Sequence, residues 1–140
     1  MAEYTANTLQ TVGVGQDVLL TETAVWGNNS IMHREGSGLV LLRGLTNQCR
    51  ARFKVYFGGN IAISTDGTVE PISLAITISG EAIPTSSMIV TPAAAEDFFN
   101  VGASIFIDVP KGCCVNISVR NISTQAIDVQ NANFIVERVA

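Results

Sequence analysis

The only histidine, His33, lies two residues before Glu35, the residue types of a base and its orienting acid. Nucleophilic catalysis needs a nucleophile in reach and a third group to hold the base, and no motif marks either one. His33 is therefore expected to be structural, and no catalytic residue is assigned. Gly13-Val14-Gly15-Gln16 opens like a phosphate loop, but neither a helix nor a Lys-Ser/Thr pair follows. Glu96 with Asp97, and Asp66 with Glu70, put paired carboxylates in loops, yet the alternating Asp ladder of a calcium site is missing. The thiols are Cys49, Cys113 and Cys114. A bridge between the adjacent pair would be strained, and no C-x-x-C spacing joins them to His33 as metal ligands. No metal and no cofactor are expected, and the thiols read as reduced, small apolar residues near strand starts. Trp26, in Val-Trp-Gly-Asn-Asn, is either a stacking platform for a sugar ring or a cover over one end of the core. Trp26, Asn28, Asn29 and Asp66 are accordingly the candidate ligand-loop residues.

The elements that must position these residues have a period of two. Ile72, Leu74, Ile76 and Ile78 alternate with Ser73, Ala75, Thr77 and Ser79; Val115, Ile117 and Val119 alternate with Asn116, Ser118 and Arg120. Successive side chains on a strand point to opposite faces, so each run describes a half-buried strand. About ten such runs, punctuated by Gly, Asn and Pro, describe an all-β antiparallel sandwich. The expected strands are Thr8–Val12, Asp17–Thr21, Ile31–Arg34, Leu39–Arg43, Ala51–Ile63, Ile72–Ser79, Ser87–Thr91, Val101–Val109, Cys114–Asn121 and Val129–Val139. Gly58, Gly59 and Asn60 mark a bend or bulge in the long central run, and Asn131 with Asn133 a second one near the last strand. Pro92–Asn100 has the composition of at most a helical turn or two. Residues 1–7, rich in Thr, Asn and Ala, form an expected flexible arm, and 8–140 a single domain.

Composition limits the partners. Charged residues are 14% of the 140 and the net charge is −4. No basic stripe is available to displace phosphate counterions, so nucleic acid is not an expected partner. No apolar run approaches the roughly 20 residues of a membrane span, and Met1–Gln10 lacks a signal-peptide layout. A surface this poor in charge points to association through an apolar interface. The closing strand is apolar on both faces, which puts it in the middle of a sheet beside a subunit axis.

Three segments carry a likeness to a known family. Ile72-Ser-Leu-Ala-Ile-Thr-Ile-Ser-Gly80-Glu-Ala-Ile-Pro84 resembles the strand–Gly turn–strand hairpin of tumour-necrosis-factor/complement-type jelly rolls. Val109-Pro-Lys-Gly112 followed by Val115-Asn-Ile-Ser-Val resembles the turn before that family's penultimate strand, and Asn133-Phe-Ile-Val-Glu-Arg-Val139 its closing strand. The chain is similar to the bacterial and phage branch, which includes heads of collagen-like spore-surface glycoproteins, and to small proteins of gut Firmicutes and their phages. It departs from the family at Cys113, where Asp is usual, and at Cys49-Arg50-Ala51-Arg52-Phe53, which lacks the Gly-x-Tyr opening of the long strand. No ligand or metal site is carried over.

The resemblance implies a TNF-like jelly roll that forms a homotrimer, with Phe134, Ile135, Phe106 and Tyr56 as expected interface residues. The expected function is non-enzymatic: structural display as a phage virion decoration or fibre head, or as a bacterial surface or spore-coat component. The alternative is a carbohydrate-binding, lectin-like module. A capsid or surface lattice, or a host glycan, would be the partner beyond the chain itself. The protein would be made in the cytoplasm and reach a virion, cell or spore surface without a classical signal peptide.

Overall fold

A computed structural model describes all of residues 1–140. The strands are β1 (Ala2–Ala6), β2 (Gln10–Val12), β3 (Glu22–Val25), β4 (Ile31–His33), β5 (Val40–Arg43) and β6 (Arg50–Ile63). They continue with β7 (Ile72–Ile78), β8 (Glu81–Ala82), β9 (Met88–Val90), β10 (Phe99–Pro110), β11 (Cys114–Asn121) and β12 (Ile127–Arg138). Two six-stranded antiparallel sheets result. The first runs β10-β6-β12-β1-β3, with β2 continuing beside the start of β12; the second runs β4-β5-β11-β7-β8, with β9 beside the start of β7.

The period-two runs decide which face meets the other sheet. Ala51, Phe53, Val55, Phe57, Ile61 and Ile63 of β6 turn inward onto Ile72, Leu74 and Ile76 of β7 and Ile117 and Val119 of β11, all in one core cluster. Removing so much apolar surface from water is the main stabilising term of the fold. Phe134 belongs to this core: it is 0% exposed and its ring meets that of Phe57 edge-on, with centroids 6.2 Å apart. Its expected place at a subunit interface is thus corrected, because the bulge before it sets its side chain on the inward face.

That bulge lies in β12. Gln130 pairs with Asn60 and Asn133 with Gly58, so β12 spends one more residue than β6 over the same length, and Asn131 takes φ +56°. β6 itself pairs with β10 without interruption from Arg50 to Ile61. The bend expected at Gly58–Asn60 is therefore absent from β6; its partner strand absorbs the irregularity.

Three further expectations change. The arm of residues 1–7 is instead an interior strand: β1 lies between β12 and β3, with Ala2, Tyr4 and Ala6 buried. Ala2-Glu3-Tyr4-Thr5-Ala6 does alternate, but alanine at two of the three inward positions hides the apolar signal. Asp17–Thr21 is not a strand. Val18 and Leu20 are buried, but their amides bond to different partners, the carbonyls of Val119 and Ser37, so no ladder forms. Pro92–Asn100 contains no helix; the only helical turn is a 3-10 turn at Pro84–Ser86.

Candidate functional site

The outward face of the first sheet is ordered in bands along its strands. At one end Arg52 grips Asp108 through two bonds, Nε at 2.8 Å and Nη2 at 3.1 Å, and Arg50 Nε lies 3.2 Å from the same carboxylate. The hydrogen bonds from Arg52 hold the Asp108 carboxyl below the ordinary carboxylate range; the charges of Arg52 and Arg50 add to this against partial desolvation. The alternation of Arg50, Arg52 and Lys54 on one strand face follows from β6 being straight.

The next band is apolar. Phe106 on the edge strand β10 is 65% exposed and Tyr56 on β6 is 40% exposed, with Ile135 of β12 in register beside Tyr56. Beyond it lies a glycine pair, Gly58 opposite Gly102. A Cβ at Gly58 would come within 2.7 Å of the Tyr56 hydroxyl, and one at Gly102 within 3.1 Å. The glycines thus let the Tyr56 ring lie flat along the sheet. A band of amides follows: Asn100 Nδ2 donates to Asn60 Oδ1 at 3.1 Å, and Asn60 Nδ2 to Asn131 Oδ1 at 3.4 Å.

Between the ionic and glycine bands is a cleft of about 220 Å³ lined by Lys54, Tyr56, Ser104, Ile135 and Glu137. Lys54 and Glu137 are directly opposite in register, yet the protein's ion pairs are Arg50–Asp108, Arg52–Asp108 and Arg120–Asp17. The structure thus brings Tyr56, Ile135 and Phe106 together and leaves Phe134 behind them. Lys54, Ser104 and Glu137 are residues that sequence reasoning did not assign to this place. The signal for two of them was charge at outward-phase positions of strands that also carry outward apolar residues.

The candidate ligand-loop residues fall at opposite ends. The segment holding Trp26, Asn28 and Asn29 joins the end where Arg138 Nη1 donates to Ser30 Oγ and to the Leu45 carbonyl. Asp66 follows the other end of β6, whose 14 residues span roughly 40 Å. Trp26 is 70% exposed, so it does not cover the core. The Asn28 side chain is occupied, its Oδ1 accepting from Ser30 N at 2.8 Å.

His33 is held, not free. Its Nδ1 lies 2.9 Å from the Leu39 carbonyl and its Nε2 3.1 Å from that of Leu20, while its ring packs on Tyr4 with centroids 4.4 Å apart. Burial raises the Tyr4 phenol above its ordinary value. All three cysteines are free, but they are exposed and so do not serve as the small apolar packing residues expected. They occupy turns and a strand start where the backbone is tied down, as by Gly44 N to the Cys113 carbonyl at 2.9 Å, while the side chains face water. No group of three or more His, Cys, Asp or Glu is arranged to hold a metal ion. The other two sizeable depressions are open: one of about 350 Å³ lined by Gln48, Cys49, Arg50, Arg52 and Ala140, and one of about 330 Å³ beside Met32, Leu39 and Leu41.

No family model matches the chain, and no curated protein matches its sequence. Solved structures do match in fold. The Eiger TNF of S. frugiperda superposes with a TM-score of 0.70 at 14% identity, over 99% of this chain and 91% of its own. Murine APRIL gives 0.64 at 9% identity, over 97% and 98%. The globular domain of zebrafish complement 1qA protein gives 0.62 at 11% identity, over 96% and 94%. Nearly complete coverage in both directions, together with the two-sheet topology, establishes that the chain has the jelly-roll fold of tumour-necrosis-factor and complement-1q domains.

Proposed function

We propose that the protein is a non-enzymatic display module that works as a homotrimer. It would decorate a phage virion or form its fibre head, or belong to a bacterial cell or spore surface. The observation that carries this reading is the outward face of the first sheet, where Phe106 on the edge strand and Tyr56, whose ring lies against Gly58 and Gly102, stand exposed together. Exposed aromatics clustered in one place mark association surfaces. The likeness to tumour-necrosis-factor and complement-1q domains supports self-association in threes. The His33 ring, packed on Tyr4 with its nitrogens against the Leu39 and Leu20 carbonyls, supports a structural place for the one histidine and so a non-enzymatic role.

The arrangement also divides the loops. β1 pairs with the last part of β12, Ala2 opposite Val136, so both chain termini share the end that carries Trp26. Attachment to a capsid or surface lattice belongs at that end, and display at the Asp66 end. Light scattering tests the reading: a mass near three times 14.8 kDa is expected, and a monomer at all concentrations would overturn it.

A second reading, carbohydrate binding, is favoured by the exposure of Trp26, whose ring is available for stacking on a sugar. Binding on a glycan array that disappears in Trp26→Ala would select it.

A further inference from the structure

All three thiols lie at one end of the sandwich, where two crossovers run side by side. Residues 44–49 carry the chain from β5 in the second sheet to β6 in the first, and residues 111–113 carry it from β10 in the first to β11 in the second. Hydrogen bonds tie the crossovers together. Lys111 N donates to the Cys49 carbonyl at 2.9 Å, Gly44 N to the Cys113 carbonyl at 2.9 Å and Gly112 N to the Gly44 carbonyl at 3.2 Å. Glycine at position 44 permits this approach, since a Cβ there would run into the Pro110 carbonyl.

The ladder of each sheet thus runs one residue past its last strand pair. Beyond the Arg50–Pro110 pair Cys49 lies opposite Lys111, and beyond the Arg43–Cys114 pair Gly44 lies opposite Cys113. Alternation then sets the side of each thiol. Cys49 shares the phase of Ala51 and Phe53, both fully buried, and so stands on the face of the first sheet that meets the second. Cys113 shares the phase of Val115 and Ile117, which pack in or against the core, and so stands on the face of the second sheet that meets the first. Cys114 has the opposite phase and faces away, beside Arg43, its cross-strand partner. Cys49 and Cys113 therefore face one another at the mouth of the sandwich, beyond the core, where both are exposed and open to a reagent.

We infer that Cys49 and Cys113 form a dithiol site for exchange with a small-molecule disulfide such as glutathione disulfide, and that Cys114 takes no part. One protein thiolate attacks a sulfur of the reagent, forming a mixed disulfide and expelling a glutathione thiolate that takes up the proton the attacking thiol gave. The second protein thiol, deprotonated in turn, attacks the protein sulfur of the mixed disulfide and expels the second glutathione. The protein dithiol gives up two electrons and two protons, and the reagent receives both. The product is a staple between the two sheets within one chain, at the end where Cys49 and Ala140 line a common depression.

The test treats reduced protein with glutathione disulfide in the absence of denaturant, alkylates the remaining thiol and digests with trypsin. The expected product runs as a single chain in denaturing, non-reducing electrophoresis and yields Gly44–Arg50 joined to Gly112–Arg120. The join should persist in Cys114→Ser and vanish in Cys49→Ser and in Cys113→Ser. Because the staple closes the long loop from Cys49 to Cys113, Tm is expected to rise by about 5–10 °C over the reduced protein. Unreacted thiols, glutathione retained as a mixed disulfide, chains linked to one another, or a join through Cys114 overturns the assignment. An unchanged or lowered Tm in the linked protein also overturns it, since the link would then have been forced on the fold.

Discussion

Thr77 and Ser118 sit on the outward face of the second sheet and are each 1% exposed, whereas Tyr56 and Phe106, on the outward face of the first, are 40% and 65% exposed. The difference lies in what covers them. On the second sheet the hydroxyls of Thr77 and Ser118 bond to each other, and Ser118 donates to Asp17 Oδ1 at 3.1 Å. Arg120 sits 3.5 Å from that carboxylate and stretches to the Gly80 carbonyl. The centre of that face is closed by its own chain. On the first sheet Lys54 and Glu137 are left without an ion pair, and Asn133 Oδ1 is enclosed without a hydrogen-bond partner. Arg120 Nε on the second sheet is enclosed without a hydrogen-bond partner as Asn133 Oδ1 is on the first, so what separates the two faces is the pair of bare aromatics, the kind of exposed cluster that marks an association surface.

The contrast can be broken most forcefully from beneath. Phe134→Asp would put an unpaired charge behind the first sheet at a fully buried site, costing several kcal/mol against a total stability of about 5–15 kcal/mol. The expected result is an unfolded chain by far-UV circular dichroism. Deleting residues 2–6 should do the same, because β1 is an interior strand whose loss exposes an edge of β12. A folded deletion product would return these residues to the status of an arm.

A smaller effect is expected on the closed face. Asp17→Ala removes the acceptor from the buried Ser118 hydroxyl, at a cost of about 1–3 kcal/mol in urea unfolding, with the mass of the assembly unchanged. Loss of assembly instead would mean that the second sheet also takes part in association. Smaller again, Phe106→Ser should alter the unfolding free energy of the isolated subunit by less than about 0.5 kcal/mol, since the ring stands in solvent. A large loss would place Phe106 in the fold of a single chain.

The smallest effect belongs to the ionic band. The Asp108 carboxyl is held below its ordinary range by Arg52 and Arg50. Its contribution is therefore present above the ordinary carboxylate range and is lost as pH falls through the depressed folded value. The group is exposed, so the change in urea midpoint should be slight and should shrink further with salt. A nuclear-magnetic-resonance titration should find Asp108 below the other surface carboxylates, and Arg52→Gln should return it toward them.

The strands with bulky apolar residues at alternate positions were legible in the sequence: β6, β7, β11 and β12 all follow from period two. β1 was not, because alanine fills a tight inward position without hydrophobic emphasis. The Val18 and Leu20 pattern misled in the other direction, since burial of alternate residues does not require a ladder. On the outward face of the first sheet Tyr56, Ile135 and Phe106 lie together, while Phe134 is inside, since a closing strand apolar on both faces does not show which face the core of a single chain takes. The cleft was invisible to local pattern; it exists only when β6, β10 and β12 lie side by side. Likewise the separation of Trp26 from Asp66 depends on the full length of β6.

The pairing of β1 with β12 has a consequence in time. These strands are neighbours in the sheet but nearly the whole chain lies between them. At about 5–20 residues per second of synthesis, β1 waits on the order of ten seconds or more before its partner leaves the ribosome. For most of that interval β6 has neither neighbour, and once β10 is made and pairs with it β6 still has an open edge where β12 will insert. Contacts so distant in sequence also form slowly. Nascent copies emerging side by side on one message would therefore meet edge to edge before any of them had closed, and the yield of folded protein should fall as translation becomes denser.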